Sequence, residues 1–162
     1  MPIPFASMFR TPARGLRWPG LNETQRFLLL SILIGVFAGL LVVCFHLTIE
    51  FIRWISIDPA PGASALRKVL SPAIGALIAV LLTVKVFKAA RGSGVSNTKA
   101  AVYISNGRVP FGAVIGKFLA CSVSIGTGNS LGPEDPSLHM GAGVASALGR
   151  AFRLTRERMR LI

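Results

Sequence analysis

The sequence predicts an all-α, polytopic membrane protein: two spanning helices followed by broken or re-entrant half-helices. Three observations predict it. Phe27 to Ile49 is a run of 23 residues without a formal charge, and Val69 to Val84 is a second uncharged run. Beyond Gly92 the uncharged stretches shorten and glycine and proline gather at their edges. Of the 162 residues, 52% are hydrophobic and only 15% are charged, with a mean hydropathy of +0.62. That composition excludes a disordered chain and leaves too few charges to coat a soluble globule.

As a helix, Phe27–Ile49 is about 35 Å long, enough for a hydrocarbon core of about 30 Å with some tilt. Asn22 or Thr24 can cap its start, Arg26 and Arg53 bracket it, and Trp54 suits an interface anchor. His46 near its far end is given no role. Pro59, Pro61 and Gly62 make residues 57–64 a turn. The run from Val69 to Val84 then returns, and Lys85 and Lys88 can snorkel at its end. Lys and Arg number four in the tail to Arg26, three in the intervening loop and four in Lys85–Lys99. This bias places both ends of the helix pair in the cytoplasm and makes residues 1–26 a basic cytoplasmic tail. The shorter uncharged stretches are Ala100–Gly107, Phe118–Pro133 and Pro136–Gly149. The last would be about 21 Å as a helix, too short to cross alone. Such glycine-interrupted segments suggest half-helices around a site at the bilayer midplane. The tail from Arg150 carries five arginines and one acid, as a basic helix or interface segment would.

The net charge of +12 alone suggests nucleic acid, anionic lipid or an anionic solute. The basic residues flank apolar spans instead of forming one stripe with exposed aromatics, so nucleic acid is set aside. Cys44 and Cys121 sit in apolar stretches and read as buried, inert thiols. No signal peptide, metal-ligand spacing or Ser/His/Asp order stands out. GAVIGKF at Gly112–Phe118 fails as a P-loop: its glycines are too close, and Phe118 stands where a magnesium-binding hydroxyl belongs.

Two segments make sense as anion-binding places. Arg91-Gly-Ser-Gly-Val-Ser-Asn precedes one short helix, and Leu131-Gly-Pro-Glu-Asp-Pro precedes another, with Pro136 suited to the first turn. Glycines let backbone N–H groups converge, Ser93 offers a hydroxyl, and helix N-termini add partial positive charge. Two half-helices would thus aim their starts at one interior point, holding an anion weakly enough to release it. Glu134 at the second start reads equally as a functional intramembrane acid or as an ordinary N-cap acid.

GSGV at Gly92–Val95 and LGPEDPSLHMGAG at Leu131–Gly143 resemble two signatures of the CLC family of chloride channels and chloride–proton antiporters, GSGIP and G(K/R)EGP. VPFGAVIGKF at Val109–Phe118 resembles the family segment between them. The resemblance implies an incomplete CLC-type transmembrane domain over residues 27–162, part of one half of an inverted-repeat transporter. It implies that Ser93 gives its hydroxyl to a central anion and that Glu134 is the gating glutamate, blocking the path and accepting protons. Gly92, Gly94 and Gly132 would allow close backbone approach. Chloride, with protons in an exchanger, is the implied cargo. A homodimer, no cofactor, no covalent catalysis and a place in the cell (inner) membrane are implied as well.

Three positions depart from the pattern: Ser96 replaces a proline, Pro133 a basic residue, and Asp135 a glycine. A second acid beside the path should repel the anion and weaken its binding. Later family segments, including the pore tyrosine and the inner proton-transfer glutamate, have no match, so an N-terminal fragment unable to form the whole path is expected. The family topology puts the arginine-rich tail outside, against its charge preference. The rival reading is a small basic membrane adaptor that binds anionic lipid or a partner protein without ion transport.

Overall fold

The computed structural model describes residues 22–57 and 65–152, with 154 and 159. The basic tail before Asn22, the proline turn over 58–64 and four arginines of the C-terminal tail (153, 156, 158 and 160) lie outside the described residues. Among the described residues all regular structure is helical: α1 (Glu23–Ser56), α2 (Ala65–Leu81), α3 (Gly94–Tyr103), α4 (Phe111–Gly126) and α5 (Glu134–Ala151).

Helix α1 begins at Asn22, whose N–H donates to Gln25 Oε1 at 3.0 Å. It runs 34 residues, well past the uncharged run that predicts it. Glu50 and Arg53 do not stop it, because charges at a bilayer edge are solvated. At about 51 Å it exceeds the hydrocarbon core and has to tilt or protrude. One stripe, Leu30, Ile34, Phe45 and Ile49, is buried against the other helices. The opposite side exposes Leu28, Ile32, Leu40, Leu47, Phe51 and Trp54. Cys44 is on the exposed side, which corrects the expected burial, while Cys121 is half-buried; both are free thiols.

Helix α2 carries Pro72 in its interior. Pro72 has no N–H to give the carbonyl one turn earlier. Its own carbonyl accepts from Asn129 Nδ2 at 3.1 Å, which ties α2 to the end of α4. Helix α2 widens into a π-turn at Leu82–Val86, closed by Phe87 N–H to Leu82 O at 2.8 Å, and a 3₁₀ turn at Lys88–Ala90 follows. These two turns take the chain from a spanning helix into the loop before α3.

Helix α4 is the centre of the fold and packs against α1, α2, α5 and the turns before α3. It starts at Phe111, seven residues before Phe118, and runs through Lys117, which is buried. The close passage of α1 over its end requires Gly126: a Cβ there would lie 2.7 Å from Ile52 Cβ and 3.0 Å from the Ile49 carbonyl. Phe45, Ile49, Ala101, Val109, Val114 and Met140 form the main core, with Phe45 tilted on Phe118 at 5.6 Å between centroids. Helix α5 starts at Glu134, two residues before Pro136, and buries a stripe including Pro136, His139, Met140, Gly143, Ser146 and Gly149.

Candidate anion site

The loop before α3 is built by backbone acceptors. Arg91 reaches back to the Val84 carbonyl at 3.1 Å, and Asn97 Nδ2 bonds the Arg91 carbonyl at 2.8 Å. Gly92 follows at φ +84°, a left-handed conformation that glycine adopts without strain. Ser93 is the N-cap of α3, and its Oγ accepts from Ser96 N–H at 3.5 Å. Ser96 therefore supplies a donor that a proline could not.

The starts of α3 and α5 meet. Asp135 Oδ1 accepts from Ser93 Oγ at 2.6 Å and from Val95 N–H at 3.0 Å. Its Oδ2 accepts from Gly94 N–H at 2.7 Å. Lys117 Nζ lies 3.7 Å from that same oxygen and donates to the Gly92 carbonyl at 2.5 Å. One hydroxyl, two backbone N–H groups and a buried ammonium thus surround a single carboxylate. The contact is possible because position 94 lacks a side chain: a Cβ there would meet the Asp135 carbonyl at 2.5 Å and His139 Cβ at 2.9 Å.

Glu134 is placed differently. It opens α5 and is exposed, with its carboxylate folded back over Gly132, where an added Cβ would clash with Oε2. Of the residues singled out from sequence, Gly92, Ser93, Gly94 and Asp135 come together, while Gly132 and Glu134 form the adjoining turn. Pro133 is the N-cap of α5, and its carbonyl accepts from Ser137 Oγ at 2.6 Å. Lys117 was missed because a lysine reads as the end of an apolar run. Its signal is the series Ala113, Gly116, Lys117, Ala120 and Ser124, a buried stripe at helical spacing. Behind the cradle, buried His139 presents Nδ1 to Thr98 Oγ1 at 3.2 Å, while its Nε2 and the buried Ser122 Oγ have no hydrogen-bond partner among the described residues. Among the described residues no group of three or more His, Cys, Asp or Glu could hold a metal ion.

Two apolar helices with lipid-like outer surfaces, α1 and α2, and two others whose starts meet, α3 and α5, define a polytopic helical membrane protein with a candidate anion site. Residues 75–162 match the model of the voltage gated chloride channel family. The chain belongs to that family. It is 35% identical over 135 residues to the chloride channel protein CLC-e of Arabidopsis thaliana, covering 74% of this chain and 18% of that protein. The voltage-gated ClC-type chloride channel ClcB of Salmonella typhimurium is 29% identical over 137 residues, covering 78% of this chain and 33% of that one. That of Yersinia pestis is 25% identical over 142 residues, covering 82% and 34%. The chain thus spans about a third or less of the length of these relatives. No solved structure matches it.

Proposed function

We propose that the chain is part of a chloride-transporting protein, a channel or a chloride–proton antiporter, and supplies one wall of its anion path. The observation that carries this reading is the convergence of Ser93 Oγ, Gly94 N–H and Val95 N–H on one negative group. A hydroxyl and two amides, with the Lys117 ammonium beside them, can replace part of an anion's hydration shell. The family match and the names of the relatives point to chloride. Glu134 is the gating acid: it stands beside the cradle, at the electropositive start of α5, on a turn its carboxylate overhangs. Ionised, it competes with the permeant anion; protonated, it leaves the path open and carries a proton. A homodimer in the cell (inner) membrane, with no covalent catalysis, completes the proposal.

Glu134→Gln in the whole transporter of which this chain is proposed to be a part, reconstituted into liposomes, tests this. Chloride efflux that is altered at least severalfold, or that loses its response to a pH gradient, is expected. Flux and proton response both unchanged would remove Glu134 from the mechanism. No chloride flux from any version of the protein would end the transport reading.

A further inference from the structure

The anion cradle already holds an anion, and that anion belongs to the chain. Both Asp135 oxygens are engaged: Oδ1 by Ser93 Oγ and Val95 N–H, Oδ2 by Gly94 N–H with Lys117 Nζ beside it. Lys117 brings a charge from a third helix. It is 9% exposed, in the middle of α4, and among the described residues its ion-pair partner is this carboxylate. A buried cation needs a partner of opposite charge. A repelling acid at the mouth of the path would point away from the donors; Asp135 sits among them.

We infer that Asp135 is a tethered anion seated in the Ser93 cradle, and that a free halide enters there only by displacing this carboxylate. Asp135, and not only Glu134, therefore sets the anion affinity of the site. The inference rests on reading Ser93 as an anion ligand. A tethered carboxylate is present at high effective concentration, so it competes with a dissolved ion out of proportion to its intrinsic strength. Removing it leaves three donors and one ammonium without a negative partner, and a small monovalent anion is what satisfies them. Glycine at position 135 would also restore the free backbone that the G(K/R)EGP pattern has there. The acid is thus a specificity-determining residue, lowering the affinity of the site for mobile anions while it is seated.

The test is chloride titration of the purified protein in detergent, with sodium gluconate as the matched control, read by calorimetry and by the chloride-dependent rise of the melting temperature. Asp135→Gly is expected to bind chloride at least about tenfold more tightly than the parent. Asp135→Asn keeps the shape of the side chain without its charge and is expected to gain about threefold or more, which decides the matter should the glycine variant fold poorly. Adding Ser93→Ala to either variant is expected to cancel the gain. Affinity within twofold of the parent in a folded Asp135 variant overturns the inference, as does a gain that survives Ser93→Ala. Liposome flux through the whole transporter separates this from the transport reading. A chloride gain without flux keeps the tethered anion and ends the transport proposal, whereas flux without a chloride gain does the reverse.

Discussion

Gly94 and Asp135 are 41 positions apart and make one contact, and the sequence announces only half of it. That Gly92, Ser93 and Gly94 open a helix is legible from residue type: a left-handed glycine, a hydroxyl N-cap, a small residue for close approach. The seating of Asp135 in that opening is not, because it depends on how α5 lies across α3. Charge reasoning takes the acid for a repelling neighbour of the anion; the fold makes it the occupant. The close approach at position 94 is itself testable. In Gly94→Ala the new methyl would stand 2.5 Å from the Asp135 carbonyl and 2.9 Å from His139 Cβ. Relieving that overlap has to move α5 away from α3 and unseat the carboxylate. A stability loss of about 1–3 kcal/mol is expected, read as earlier unfolding in a denaturant series in detergent. Unchanged stability would mean that the two helices do not touch there.

At the scale of elements, uncharged runs located every helix and bounded none of them well. The first run ends at Ile49, yet α1 continues to Ser56, because its last turns carry Glu50 and Arg53 on a helix that has left the apolar slab. In the sequence Lys117 splits α4, because a charge reads as an end, whereas a buried ammonium with a carbonyl and a carboxylate beside it interrupts nothing. The sequence points to Pro136 as the start of α5, since proline favours a first turn; Glu134 and Asp135 precede it as the first two helical residues. Packing between elements uses small residues in a way that residue type alone leaves undecided. Gly126→Ala would put a methyl 2.7 Å from Ile52 Cβ and press α1 off α4, at a cost of about 1–3 kcal/mol. Gly39→Ala on α1 meets nothing within 4 Å and is expected to leave the melting temperature alone. Equal effects of the two changes in a thermal melt would contradict the packing of α1 on α4.

The whole molecule explains why so apolar a chain has so small a core. Only 11% of the apolar window of α1 and 6% of that of α2 is buried within the chain. A soluble core helix would be mostly buried, so these faces belong against lipid or other protein. The outward side chains were predictable from composition, while the depth of α3 to α5 followed only from their shortness and their glycines. The lysine in the middle of α4 has a consequence for biogenesis. A charge at the centre of a lone helix costs about 2.5–3.5 kcal/mol to insert from the translocon, and the aspartate that offsets it is 18 residues downstream, on a helix not yet synthesised. Helix α4 should therefore wait at the insertion machinery until α5 emerges, and the two should enter the bilayer as a neutral pair. A chain that ends at Gly126 and is carried clear of the ribosome by a polar linker is expected to leave α4 outside the lipid, as mapped with engineered glycosylation acceptors, and Lys117→Leu is expected to let it insert; equal insertion of both would show that the helix needs no escort.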